Sequence, residues 1–286
     1  MSSAINHVCE NCGHDNLSKF IDEPGQLLLH CSNCDLFQKG ALESQLVYAE
    51  AYHEEYFKRL GSKKATAKIR LGSIKPYLKM TGLDSASPKM LDIGCSIGAT
   101  LSAAVELGWQ PTGVDVSQRA VDACTERGLD CHLVEGLEIP FGDNTFDLVT
   151  NWHVLEHVAD VKETLTEWQR VLKPGGVMIL ETPDARYLKA RMLGTSYKKF
   201  WPSEHLYAFN RKNLESILDK TGFEILPNRL IGSWTALSPA LTTYAIGYRS
   251  FRTVCRRFRM CKSLEICCRK PLVAPNDYVD ESITVA

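Results

Sequence analysis

This sequence has no excess of charge of either sign. Its 33 lysines and arginines stand against 34 aspartates and glutamates, so no net field draws it to nucleic acid or anionic lipid. The opening Met1-Ser2-Ser3-Ala4-Ile5-Asn6-His7 lacks the basic-then-apolar order of a secretory signal, and a cytoplasmic location is the default expectation. A clean membrane-spanning run is missing too. Residues 230 to 248 are uncharged and just reach that length, but Gly232, Ser233, Thr235, Ser238, Pro239, Thr242, Thr243 and Gly247 make them too polar to span. Nor is there a G-x-G-x-x-G dinucleotide fingerprint. Ser96 stands where the middle glycine would admit a pyrophosphate to a helix N-terminus, which makes NAD(P) or FAD the weaker reading.

What is present begins with cysteine. Eleven cysteines in 286 residues would suggest disulfides only in a small secreted chain. Four of them instead form Cys9-x-x-Cys12 and Cys31-x-x-Cys34, two pairs whose turns can close a tetrahedral thiolate shell suited to Zn²⁺. A redox motif would need only one pair, in a thioredoxin-like setting. Residues 1–40 are therefore expected to be a zinc ribbon, too short to bury a core and held by the metal. Residues 41–88 read as a helical lead-in carrying Tyr48, Tyr52 and Tyr56, then a turn-rich linker through Gly82 and Pro88.

From residue 89, strands and helices alternate: strands at 89–94, 111–116, 131–135, 146–151 and 176–181, helices at 99–108, 118–127 and 160–172. Ser117 is placed to cap the second helix and Gly128 to stop it. Val161, Leu165, Trp168 and Leu172 recur at helical spacing, and Asn210 opens a further helix closed by Gly222. The pattern predicts a mainly parallel sheet covered on both faces.

Met90-Leu91-Asp92-Ile93-Gly94-Cys95-Ser96-Ile97-Gly98 is an apolar strand running into a glycine turn. Gly113-Val114-Asp115-Val116 is a second apolar run ending in an acid that can accept from ribose hydroxyls. Further on come Phe146-Asp147-Leu148-Val149, Leu155-Glu156-His157 and Leu172-Lys173-Pro174-Gly175-Gly176. In that order and spacing, these segments resemble the class I S-adenosylmethionine-dependent methyltransferases over residues 89 to about 231. Pro202-Ser203-Glu204-His205-Leu206 is similar to a stretch in the branch near ubiquinone-pathway-like O-methyltransferases and glycan and natural-product methyltransferases.

The resemblance implies an α/β, Rossmann-like sheet of seven strands with helices on both faces, in a methyltransferase domain of residues 89–286. It implies S-adenosylmethionine as cofactor, with the methionine portion against Asp92, Gly94, Cys95 and Gly98. Asp115 and Val116 would lie at the ribose, Gly136 and Leu137 at the adenine, and Asn151 and Trp152 near the sulfonium. His205 and His153 are the candidate general bases for a hydroxyl acceptor, because histidine titrates near cellular pH. The seventh strand is expected to insert antiparallel beside the fifth, and 281–286 alternates as a strand does. Residues 232–275 would then be a helical insertion. Its basic part, 249–270, reads as a solvated helix or as an interfacial helix at a membrane surface.

The acceptor expected is a small molecule or a glycan or lipid-linked intermediate, with O-methylation favoured. Two rival readings stand beside this one. An RNA-directed enzyme gripping its substrate through the ribbon is opposed by Lys19 and Lys39 being the ribbon's only lysines or arginines, and by Asn151-Trp152-His153-Val154 where base-amine methyltransferases carry Pro-Pro-aromatic. A non-catalytic binder with the same fold is the other.

Overall fold

In the computed structural model the described residues are 8–24, 26–40, 60–83, 86–196, 201–202, 204–227 and 263–272. Two β-sheets organise them. The first uses β1 (Leu17–Glu23), β2 (Gln26–Cys31) and β3 (Phe37–Lys39). After helix α1 (Leu60–Met80), the chain alternates through β4 (Lys89–Ile93), α2 (Ala99–Glu106), β5 (Gln110–Asp115), α3 (Gln118–Thr125) and β6 (Cys131–Leu133). It continues with β7 (Phe146–Trp152), α4 (Val161–Val171), β8 (Leu172–Pro183) and α5 (Leu188–Leu193). The last elements are β9 (Tyr207–Ala208), α6 (Arg211–Lys220), β10 (Glu224–Ile225) and β11 (Ser263–Arg269).

The large sheet has seven strands in the order β10-β11-β8-β7-β4-β5-β6. Strands β4 to β8 pair in parallel, and β11 runs antiparallel between β8 and β10. Neighbouring strand residues go to opposite faces, as the two-residue period requires. Leu91, Val149, Met178, Leu180 and Ile266 pack with Leu165 and Trp168 of α4 and Leu214 and Ile217 of α6. Met90, Leu148, Val177, Ile179 and Cys267 pack with Leu71, Ile74, Tyr77 and Leu78 of α1 and with Leu101 of α2. Covered on both sides, these strands are nearly continuous apolar runs.

The helix ends follow local chemistry. The Ser117 side chain accepts from the Ala120 N–H, and Asn210 and Asn213 form a reciprocal capping box at the start of α6. Among the described residues no helix is long and apolar enough to cross a membrane.

The strand beside the fifth parallel strand is a correction to the sequence reading. It is Ser263–Arg269, within the stretch expected to be a basic helical insertion. Its Leu264, Ile266, Cys267 and Cys268 are all buried. A strand covered on both faces does not alternate, so the position beside β8 is filled by a segment without the alternation that 281–286 carries. The basic residues at the end of β11 are also engaged: Arg269 pairs with Glu224 at 2.7 Å, and Lys270 donates to Asn144 at 2.8 Å. Residues 281–286, 249–262, Tyr48, Tyr52 and Tyr56 lie outside the described residues.

The ribbon sheet is built into the domain. Strand β3 pairs with β9, which follows β8 in the chain, giving the order β1-β2-β3-β9. Phe20, Phe37 and Trp201 pack ring against ring at 4.8 to 5.1 Å between centroids. Asn213 of the capping box also donates to the Cys34 and Asp35 carbonyls at 3.3 and 3.1 Å.

Candidate active site and thiolate centre

The turn after β4 forms the floor of the candidate cofactor site. Gly94 and Gly98 have φ of 71° and 72°, the left-handed region that glycine enters without cost. A Cβ on Gly94 would overlap the Val154 side chain, and one on Gly98 would lie 2.6 Å from Leu129 and 2.9 Å from the Cys124 sulfur. Ser96, between them, adopts φ 49° without that freedom. Its N–H donates to Asp115 Oδ2 at 2.8 Å, while Asp115 Oδ1 accepts from the Ser117 N–H at 3.0 Å. Asp115 therefore ties the first turn to the end of its own strand. Carboxylate oxygens accept more than one hydrogen bond, so ribose hydroxyls can still be received there. Arg127 holds the turn from below, donating to the Ile97 carbonyl and, at 2.6 Å, to the Ser102 hydroxyl.

Asp92 is buried beneath this turn. Burial pushes its carboxyl up to about 7, against hydrogen bonds from Thr150 at 2.6 Å and from Thr100. Asn151 lies opposite Ile93 in the sheet. Asn151 Oδ1, Trp152 Nε1 and Ser96 Oγ are buried without a hydrogen-bond partner among the described residues. Unpartnered polar atoms at the ends of β4 and β7 suit a polar ligand, because each buried one costs roughly 1–3 kcal/mol until it is paired. Val116 follows Asp115, and the Val134 N–H donates to the Asp115 carbonyl at 3.0 Å, bringing the turn that holds Gly136 and Leu137 to the same edge. The structure thus gathers Asp92, Gly94, Cys95, Gly98, Asp115, Val116, Gly136, Leu137, Asn151 and Trp152 along the carboxyl edge of the sheet.

Beyond β7 the chain carries a polar array. His153 sits at φ 58°, with its N–H on the Glu181 carbonyl at 2.7 Å. Its ring nitrogens face Glu156 at 3.1 Å and Glu181 at 3.2 Å. Burial lowers the imidazole pKa, but the two carboxylates outweigh it and raise it to about 9. Burial pushes Glu156 up, yet its hydrogen bond to His153 holds it below the usual carboxylate range. Arg70 completes the array, 2.7 Å from Glu181 and 4.5 Å above the Trp152 ring.

His205 lies beside this array, near Glu156. Its ring is 4.8 Å from that of His157, and a carboxylate oxygen of Glu156 and ring nitrogens of His157 and His205 lie within 4.8 Å of one another. Burial pushes His205 down to about 4, leaving it neutral at cellular pH. Arg70, Thr150 and Glu181 carry no signal in the sequence. Arg70 is remote from every motif, and Thr150 and Glu181 read as ordinary strand residues.

The four ribbon cysteines meet as their spacing predicts. Cys9 and Cys34 sulfurs are 3.5 Å apart, and those of Cys12 and Cys31 3.6 Å. A tetrahedral zinc with bonds of about 2.3 Å has sulfur–sulfur edges of about 3.8 Å, so the set fits. The two loops match each other. Gly13 N–H bonds the Cys9 carbonyl and Asp35 N–H the Cys31 carbonyl, both at 2.8 Å, with Gly13 and Asp35 at φ 70° and 62°. His30 faces Asp35 at 2.8 Å, outside the thiolate set.

The family model described as "Methyltransferase domain" matches residues 54–228. The chain belongs to that methyltransferase family. Its domain is of the class I, S-adenosylmethionine-dependent kind, and the seven-stranded sheet agrees. A ubiquinone biosynthesis O-methyltransferase of Bartonella tribocorum is 31% identical over 166 residues, covering 51% of this chain and 66% of that protein. A demethylmenaquinone methyltransferase of Staphylococcus aureus is 36% identical over 121 residues, covering 39% of this chain and 50% of that protein. The methyltransferase chain thus spans from half to just under two thirds of the length of these relatives. A SAM-dependent methyltransferase from Archaeoglobus fulgidus shares the fold at TM-score 0.54 and 21% identity, covering 77% of this chain and all (100%) of that one.

Proposed function

We propose that the protein transfers the methyl group of S-adenosylmethionine to a hydroxyl oxygen of a small organic acceptor, free or carried on a glycan or lipid. The observation that carries this reading is the placement of a His205 ring nitrogen within 4.8 Å of a Glu156 carboxylate oxygen, next to His153 held between Glu156 and Glu181. The O-methyltransferase among the relatives supports it.

When bound, S-adenosylmethionine supplies a methyl group on a sulfonium. Its leaving group departs neutral, so this chain's residues mainly need to position the acceptor, and good alignment can be worth effective molarities of about 10⁵ M. The cofactor is held by the Gly94–Gly98 turn, Asp115 and the edge residues Gly136, Leu137, Asn151 and Trp152. His205 Nε2 or Nδ1 takes the acceptor hydroxyl proton, and Glu156 offsets the positive charge this creates on the ring. His153, charged and braced by Glu156 and Glu181, orients an electron-rich acceptor. Cys9, Cys12, Cys31 and Cys34 hold one zinc ion with a structural role, since four thiolates leave no open coordination position.

The test is mass spectrometry of a cell extract incubated with the protein and methyl-labelled cofactor. Label is expected in small molecules or glycan and lipid conjugates, at an oxygen. Label confined to RNA, or S-adenosylmethionine binding without turnover across a broad acceptor panel, overturns the reading.

A further inference from the structure

A second group of thiols lies within the methyltransferase sheet, away from the ribbon. Cys95 comes from the turn after β4, Cys124 from α3 and Cys131 from β6, and their sulfurs all lie within 4.8 Å of one another. Cys95 and Cys131 are 3.3 Å apart. Cys95 and Cys124 are buried, while Cys131 is half-buried and leaves an approach from the sheet edge. The Ser96 carbonyl is the hydrogen-bond acceptor of both Cys124, at 3.3 Å, and Cys95, at 3.6 Å.

We infer that Cys95, Cys124 and Cys131 form a second metal site, for one thiophilic d¹⁰ cation of the Zn²⁺, Cd²⁺ or Cu⁺ class held by three thiolates. Three sulfurs around a cation at bonds of about 2.3 Å stand about 4.0 Å apart, a spacing that the observed 3.3 Å contact and 4.8 Å limit enclose. Soft thiolate ligands select such ions over Mg²⁺ or Ca²⁺. Each thiol releases its proton to solvent as its metal–sulfur bond forms, with no change of oxidation state. The site is close-packed on one side: a Cβ on Gly113 would lie 2.7 Å from the Cys95 sulfur, so only glycine leaves room there for Cys95. Cysteines merely filling space would require no such convergence of three separate elements on one point.

The experiment uses the full chain, reduced and stripped of metal, titrated with Cd²⁺ and followed by thiolate charge-transfer absorption and metal analysis. Two tightly held Cd²⁺ per chain are expected. Cys131→Ser and Cys124→Ser, each checked for folding by circular dichroism and a cooperative thermal transition, should each keep one. ¹¹³Cd NMR of the unmodified chain should show one four-sulfur and one three-sulfur signal, which serves if either variant fails to fold. A single Cd²⁺ per chain, a second one retained in both folded variants, or two four-sulfur signals overturns the inference.

Discussion

Gln38 and Tyr207 pair across the last rung between the ribbon and the methyltransferase domain. The buried Gln38 side chain reaches back, accepting from the Glu10 N–H at 3.0 Å and donating to the Val8 carbonyl at 3.1 Å, on either side of Cys9. Tyr207 donates to the Ala159 carbonyl at 2.9 Å, and the neighbouring Leu206 N–H bonds the Glu156 carbonyl at 2.8 Å. The thiolate centre is therefore connected through one strand pair to the segment carrying His205.

Removing the ribbon metal should accordingly affect acceptor chemistry more than cofactor binding. Cys12→Ser is expected to lose the ribbon cation and to raise the acceptor KM or lower turnover, while S-adenosylhomocysteine affinity by calorimetry stays within a few-fold of wild type. Full metal retention in this variant would contradict the four-cysteine assignment.

At the cofactor edge, Asp115→Ala removes the acceptor of two backbone N–H groups as well as the proposed ribose contact. Hydrogen bonds to a charged group contribute about 1.5–3 kcal/mol, so calorimetry should show S-adenosylmethionine binding weakened by about 10- to 150-fold. Unchanged affinity would remove Asp115 from the site.

His153 gives stability a distinctive pH dependence. Its folded pKa, about 9, lies above the ordinary 6.5, so its contribution is fully present below about pH 6.5 and is lost as pH rises through 9. Thermal denaturation between pH 7 and 10 should show wild type losing stability more steeply than His153→Gln. Parallel curves would mean that the carboxylate clamp is not formed.

For the proposed base, His205→Ala should reduce turnover by about 10²- to 10⁴-fold with cofactor affinity nearly intact. Because burial pushes His205 down to about 4, the wild-type rate should show no loss from its protonation between pH 5 and 8. A rate falling with an apparent pKa near 6.5 that disappears in His205→Ala would contradict the half-buried, neutral imidazole.

The reassigned strand is testable by stability. Ile266 is fully buried in β11, and truncating such a side chain costs about 2–5 kcal/mol. Ile266→Ala should lower the denaturation midpoint accordingly. A change below about 0.5 kcal/mol would argue that 263–269 does not occupy the sheet.

The sequence by itself determined what depends on short-range order. The glycine turn after Met90–Ile93, the Ser117 and Asn210 caps, the alternation of strand and helix, and the paired Cys-x-x-Cys turns are all written in residues a few positions apart. Tertiary structure decided what depends on distant segments meeting. Ser263–Arg269 enters the sheet because Val177–Pro183 offers it an antiparallel edge, and no local period marks a strand buried on both faces. Likewise, the chain around His153 offers Glu156 three residues on but not Glu181, which is 28 residues away, and nothing near His205 indicates that it is desolvated and neutral. Those proton affinities arise from burial and partners that only the folded chain brings together.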